Sequence, residues 1–518
     1  MTMDTTASPG AGLRRVAIDP VSRVEGHGRV TLLVDEHQRV AEARLHIVEF
    51  RGFESFIRGR PYWEVPVIVQ RLCGICPVSH HLAASKAIDA ALGVAPAVPH
   101  AAQQLRRLMH YAQILQSHAT HFFHLASPDL LFGFDSEATR RHIVAVAAAH
   151  PETARQGVLL RKFGQEVIKA TAGKRVHGTG SVPGGVNRCL THGERDQLVA
   201  QVPQIVAWCE AAADLAEALQ AQQPALYAGF AAFESGFLSL VRPGDGAMAL
   251  YDGVLRARGP DGAPWVDDEP VERYLDLIEE AVRPWSYMKF PYLRARGPEA
   301  GWYRVGPLAR LQTCSHVPTP RAEARRAAFV AGGPVFGSLA YHGARMIEML
   351  HAAETIGALL ADDAVCGEGA ALATPVPAGR RGEVSGVGVI EAPRGTLIHH
   401  YAIGEDDLVT GCNLIVSTTH NNEAMHAAVR QVADESFDGR EIDEAMLNRI
   451  EVAIRAYDPC LSCATHALGS MPLEVALVDA GGQPRGGLLR HGDGRVERLE
   501  GPEGRAATPD PSRRAGAR

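Results

Sequence analysis

The sequence predicts an α+β fold that is mainly α, with a central bundle of long helices and small sheets at its periphery. Three observations lead there. Apolar residues recur at helical spacing through most of residues 79–222 and again beyond 320. Runs with β character are short and few, and between about 240 and 310 the chain is dense in Gly, Pro and Trp.

The elements follow in order. Residues 21–50 hold two β-prone runs, "RVTLLV" and "ARLHIVEF", around a polar turn, which predicts a hairpin. After Cys76, the spacing of Leu82, Ile88 and Leu92 predicts a helix that starts immediately. Long helices are expected over 100–126, 136–172 and 192–221, with Pro203 kinking the last or delaying its start. Irregular chain such as "VRPGDG" fills 240–310. Helices are expected again near 320–331, 341–361, 420–435 and 441–456, with a β-prone stretch at 385–403. No internal repeat is visible. The residues divide into one unit, 1–466, made of the hairpin, a bundle over 79–222 and a mixed region over 223–466, followed by an extension, 467–518. That extension is rich in Gly, Pro and Arg, so its burial cannot offset its ordering entropy, and disorder or removal is expected there.

Composition bounds the function. Of 518 residues, 46% are hydrophobic and 21% charged, ordinary values for a globular enzyme. A formal net charge of -7 offers no basic field to a phosphate backbone, so no nucleic-acid partner is expected. There is no basic-then-apolar leader and no apolar run of membrane length, so a cytoplasmic protein without a membrane span is expected.

Nine cysteines are too few for a disulfide scaffold. Cys189, Cys209, Cys314, Cys366 and Cys412 are scattered and read as small buried hydrophobes. The other four form two pairs, Cys73-x-x-Cys76 in "RLCGICPVSHH" and Cys460-x-x-Cys463 in "DPCLSCATH". Four thiolates make a soft metal site. Paired zinc knuckles usually stand about 15 to 20 residues apart, whereas almost the whole fold intervenes here. Spacing alone leaves a buried metal centre, a structural zinc and two separate redox dithiols open.

"RLCGICPVSHHLAASKAID" and "DPCLSCATHALGSMPL" resemble the first and last signatures of the nickel-iron hydrogenase large, catalytic subunit. Between them, in order, stand further matches: "RVEGHGRV", "RGFESFIRGR", "YRVGPLARL", "EAPRGTLIHHY" and "NLIVSTTHNNEAM". The resemblance spans about residues 15–475, and the wording of "CGICPVSHH", "SYMKFPYL" and "HHYAIGEDD" is most similar to the cytoplasmic bidirectional, cofactor-coupled branch. "GTGSVPGG" departs from the family's more usual proline after the histidine. The large-subunit fold and reversible heterolytic cleavage of dihydrogen are implied.

Dihydrogen is a very weak acid, so heterolysis needs an electrophile for the electron pair and a base for the proton. The resemblance implies nickel bound by Cys73, Cys76, Cys460 and Cys463, with Cys76 and Cys463 also bridging to an iron that carries carbon monoxide and cyanide. Cys460 is then the first proton acceptor and Glu25 the relay beyond it. Arg394, supported by Pro393, would stand over the diatomic ligands, and Thr418 would donate to a cyanide. Asp458 and Asp129 line up with carboxylates near that arginine, and His80 with a histidine near a bridging thiolate, whereas His81 reads as structural. Glu54, the backbone carbonyl near Leu414 and His466 would hold magnesium.

His466 also bears on the extension. In the resembled family a maturation protease cuts after the histidine of a motif like "DPCLSCATH" once nickel-insertion proteins have acted, which here would release Ala467 to Arg518. No further cysteine cluster or dinucleotide fingerprint is present, so iron-sulfur clusters and any NAD or FMN must reside on partners: an iron-sulfur small subunit, with a diaphorase or other electron-transfer subunit beyond it. The implied acceptor is NAD(P), with a deazaflavin, heterodisulfide-linked or viologen-reducing enzyme as the alternative. Competing readings are a hydrogen-sensing subunit, the metal-free quinone-pocket subunit of respiratory NADH dehydrogenase, against which the intact cysteines argue, and a zinc-stapled structural protein.

Overall fold

The structure is a computed structural model and describes residues 13–366, 372–377, 382–437, 439 and 442–465, together with the strand backbone at 473–478, 484–490 and 496–500. At the N-terminus the expected hairpin gains a third strand. Arg14–Ile18, Gly28–Val34 and Val40–Ile47 form an antiparallel sheet in sequence order. Alternation sets its buried face: Val30, Leu32 and Val34 are fully buried.

The helix Pro77–Ala91 begins directly after Cys76, with proline in its first turn where a missing N–H costs nothing. His100–Thr120 continues through a wide turn, His121–Ala126, into Ser127–Phe132. The single helix expected over 136–172 is two, Ile143–Ala149 and Pro151–Ala172, because Pro151 cannot continue the first ladder. Pro203 acts likewise: His192–Val199 ends and Val202–Gln222 starts with that proline in its first turn. Ala340–Leu360 completes the bundle, packed on His100–Thr120 and Val202–Gln222. The helices His100–Thr120 and Pro151–Ala172 cross closely at Gly164, where a methyl group would stand 2.7 Å from the Ala112 carbonyl oxygen.

The stretch expected to be irregular instead contains a four-stranded sheet, in the order Tyr303–Arg304, Gly236–Val241, Val254–Arg258, Pro264–Glu269. Its strands are short and separated by Gly/Pro turns, so the turns dominate the sequence pattern. The β-prone stretch at 385–403 becomes a hairpin, Val384–Ala392 and Gly395–Ile403, extended by Val409–Ile415. Ala392 pairs with Gly395, which leaves Pro393 and Arg394 as the two residues of the turn. The helix Pro77–Ala91 lies so close on this sheet that a methyl group at Gly388 would stand 2.2 Å from the Ala83 carbonyl oxygen. The dithiol helix and the Arg394 hairpin are thus held as one piece.

The expectation of a structureless extension needs correction. Leu473–Val478, Pro484–Arg490 and Val496–Glu500 pair as an antiparallel three-stranded meander. A local meander satisfies its backbone groups among its own strands without a large core, which apolar content alone does not reveal. No helix among the described residues is long and apolar enough to cross a membrane.

Candidate metal centre

The two cysteine pairs meet. Cys73 sits just before the helix Pro77–Ala91, on the turn that carries Cys76, while Cys460 and Cys463 lie on the turn after the helix Glu444–Ala456. Their four sulfur atoms all lie within 4.8 Å of one another, and all four residues are buried free cysteines. Cys73 Sγ is 3.0 Å from Cys460 Sγ, Cys460 Sγ is 3.0 Å from Cys463 Sγ, and Cys76 Sγ is 3.9 Å from Cys463 Sγ. The C-x-x-C turn is organised around its first sulfur, which accepts from the backbone N–H of Ile75 at 3.2 Å and of Cys76 at 3.3 Å.

Protonation within the cluster is uneven. Burial pushes the Cys73 thiol up, but hydrogen bonds from Cys460, Cys463 and Cys76 and the charge of Arg394 outweigh it and hold Cys73 well below the ordinary thiol range. Burial pushes Cys460 and Cys463 well above it; the neighbouring thiols add to this at Cys460, while at Cys463 the hydrogen bond with Cys460 works against it. A metal entering the cluster would displace those protons.

Glu25 closes one side. The Cys460 thiol donates to Glu25 Oε2 at 2.9 Å, and the same oxygen accepts from the Ser462 N–H at 3.2 Å. The backbone reinforces this contact, since Leu461 N–H donates to the Glu25 carbonyl at 3.0 Å. Gly26 makes the approach possible. Its φ is +85°, and a methyl group there would stand 2.7 Å from the Ser462 nitrogen.

Arg394 closes another side from its hairpin turn. Its Nη2 donates to Asp458 Oδ1 at 2.9 Å and its Nη1 to Ser117 Oγ at 3.3 Å, and both charged residues are only 3% exposed. Cys73, Cys76 and Cys460 all act electrostatically on this guanidinium. Asp458 has φ of +53°, a conformation Asp tolerates better than most residues, and burial raises its carboxyl even against the neighbouring Arg394. Among the described residues, Arg394 Nε and Asp458 Oδ2 are buried without a hydrogen-bond partner. Four soft donors with an unspent donor and acceptor beside them fit a metal cluster that carries hydrogen-bonding ligands of its own.

The remaining expected residues are placed as follows. Thr418 Oγ1 accepts the Cys460 N–H at 3.0 Å. Pro393 is buried next to Arg394. His80 is buried, with its Nδ1 3.2 Å from His399 Nε2. His81 takes a structural part, bonded to the Pro66 carbonyl at 2.7 Å and accepting the Ser181 N–H at 3.0 Å, and burial lowers it to about 4. Glu54 Oε1 accepts the Leu414 N–H at 2.8 Å, which brings those two together; His466 lies outside the described residues, as does most of the extension.

Asp129 requires a correction. It does not lie against Arg394: Arg23 spans its two oxygens at 2.6 and 2.9 Å and Arg455 takes one of them. Asp129 therefore ties the turn preceding Glu25 to the helix Glu444–Ala456. Ser117, on the helix His100–Thr120, is the group that meets Arg394, and a serine inside an amphipathic helix carries no local signal of such a contact. Asn421 gives no such signal either; its Oδ1 accepts the Val305 N–H at 2.9 Å.

Comparison with known proteins agrees with this geometry. Residues 51–140 and 258–466 match the nickel-dependent hydrogenase family, and residues 15–50 match a HoxL-like family. The chain is 46% identical to the beta subunit of the NAD-reducing hydrogenase HoxS of Cupriavidus necator, over 91% of this chain and 98% of that protein. It is 42% identical to one chain of the F420-non-reducing hydrogenase vhu of Methanocaldococcus jannaschii, over 82% of this chain and 99% of that one. Among solved structures, an NAD+-reducing [NiFe]-hydrogenase in the H2-reduced state superposes with a TM-score of 0.84 at 55% identity, covering 88% of this chain and 100% of that chain. With its four cysteines gathered at one buried point, the chain belongs to the nickel-dependent hydrogenase family, as a catalytic large subunit.

Proposed function

We propose that Cys460 and Glu25 form the proton exit of this hydrogenase, and that its electrons pass through an iron-sulfur small subunit, then a diaphorase, to NAD(P). The carrying observation is the 2.9 Å contact of Cys460 Sγ with Glu25 Oε2 at the edge of the four-sulfur cluster. Cys73, Cys76, Cys460 and Cys463 would hold nickel, with Cys76 and Cys463 shared with iron. When bound, nickel and an iron carrying carbon monoxide and cyanide would supply the electrophile for the electron pair of dihydrogen.

The residues do the rest. Cys460 receives the proton on its sulfur and passes it to Glu25 Oε2, already within hydrogen-bond reach. Arg394, fixed by Asp458 and Ser117, has Nε free to donate to a cyanide ligand were one bound, and Thr418, which accepts the Cys460 N–H, would donate its hydroxyl to a second. His80, on the dithiol helix and against His399, would stand beside a bridging thiolate. Glu54 and the Leu414 segment, with His466, would bind magnesium.

The NAD(P) assignment is supported by the name of the Cupriavidus relative and by the NAD+-reducing structure. The extension 467–518 is removed by a maturation protease after nickel insertion, and the enzyme works in the cytoplasm. The test is infrared spectroscopy and nickel and iron analysis of enzyme made with its own maturation proteins, followed by H2-dependent reduction of NAD+, NADP+ and a viologen. Iron-bound carbonyl and cyanide bands with NAD(P)+ reduction are expected. A processed chain without those bands would sink the metal assignment, and reduction of viologen alone by the assembled complex would sink the acceptor.

A further inference from the structure

The segment "YRVGPLARL" has no role in the chemistry above, yet Arg310 within it is one of the most completely satisfied groups in the molecule. It is fully buried on the helix Pro307–Thr313. A guanidinium has five N–H donors, and all five are used. Nε donates to Glu348 Oε2 at 2.6 Å and Nη2 to Glu348 Oε1 at 2.5 Å. Nη1 donates to Glu391 Oε2 at 2.7 Å and to the Ala392 carbonyl at 3.0 Å, and Nη2 reaches the Pro393 carbonyl at 3.4 Å. Three of the five bonds therefore fall on the three residues that precede Arg394.

The carboxylates are themselves anchored. Glu391 Oε1 accepts the Leu240 N–H at 2.9 Å and the Thr396 hydroxyl at 2.7 Å, so it spans the Arg394 turn from one side to the other. Glu348 Oε1 takes His118 Nε2 at 2.8 Å, and His118 follows Ser117, which receives Arg394 Nη1. The backbones also interlock. Gly306, at φ +94°, would carry a methyl group 2.9 Å from the Arg394 carbonyl oxygen, and Gly395, at φ +137°, one 2.2 Å from Val305 Cγ2. Both ends of the Arg394 side chain are thus referred to one buried ionic cluster.

We infer that Arg310, clamped between Glu348 and Glu391, is a positioning residue that fixes the Ala392–Pro393–Arg394 turn and so aims the Arg394 guanidinium at the sulfur cluster. The consequence for turnover rests on the proposed role of Arg394 at the metal centre. Lysine cannot replace Arg310, because three donors on a point charge cannot span two carboxylates and two carbonyls.

The test uses the matured, assembled enzyme carrying R310K, R394K or both, with E391Q as an isosteric second variant should R310K fail to fold. Crystal structures give the Arg394 position; nickel content and kcat against KM for H2 give its effect. In R310K and E391Q the guanidinium should leave its contacts with Asp458 and Ser117. The kcat per bound nickel should fall on the order of tenfold or more, with KM within about twofold, and R310K should cost less than about twofold once Arg394 is already lysine. Superposable Arg394 positions in both variants, or an equal kcat loss in both Arg394 backgrounds, would overturn the inference. A displaced Arg394 with unchanged kcat would uphold the clamp and instead remove Arg394 from the chemistry.

Discussion

The thiol of Cys460 donates to the carboxylate of Glu25 across 2.9 Å, joining residues 435 positions apart in sequence at the edge of the sulfur cluster. A short contact between a sulfur of this cluster and a carboxylate suits proton transfer. Substituting E25Q keeps the shape and the hydrogen bonds but removes the base. The expected outcome is a loss of about 100-fold or more in H2 oxidation at unchanged nickel content. Retention of more than about a tenth of the rate would place the proton exit elsewhere.

Gly26 supplies the turn that brings Glu25 in. In G26A the new methyl group meets the Ser462 nitrogen and the backbone must hold a left-handed φ. Destabilisation of about 1–3 kcal/mol is expected, measured by denaturant unfolding of the variant beside wild type. Turnover should fall as well, because the Glu25 carboxylate moves from Cys460.

Asp129 and Ser117 should separate by phenotype. D129N loosens a buried ionic tie between Arg23 and Arg455, so a lower melting temperature with near-normal turnover per nickel is expected. S117A removes a contact of Arg394 and leaves no charge unpaired, so the reverse is expected: normal melting and slower turnover. Melting curves and nickel-normalised rates on the two variants decide it.

Acid should unfold the protein from an unusually high pH. Burial holds His342, His420 and His426 at about 3, below the ordinary value of 6.5. Above pH 6.5 these imidazoles are neutral in both folded and unfolded chains. Below it the unfolded chain takes up protons that the folded chain refuses, so stability is lost as pH falls from 6.5 towards 3. Each histidine contributes a slope of about 1.4 kcal/mol per pH unit across that window. Unfolding free energy measured between pH 7 and 5 should fall with the uptake of at least these three protons; a flat profile would contradict their burial as neutral groups.

The linear sequence by itself named most of the residues that meet at the centre. The two C-x-x-C pairs, Cys73/Cys76 and Cys460/Cys463, are legible from residue type and spacing, Glu25, Arg394 and Thr418 only from the motifs that resemble the family, and the structure brings them together. The long helices were legible from periodicity, and Pro203 marked the start of one of them.

Only the tertiary structure decided which charge answers which. Asp129 and Ser117 are both polar residues in the same helical stretch, yet one meets Arg23 and Arg455 while the other meets Arg394. Arg310 falls in sequence at the end of the stretch expected to be irregular, and its five bonds exist only because a separate hairpin and the helix Ala340–Leu360 converge on it. A guanidinium finds its acceptors through the crossing of distant elements. Local periodicity reports which face of a helix is buried and carries no information about what lies opposite.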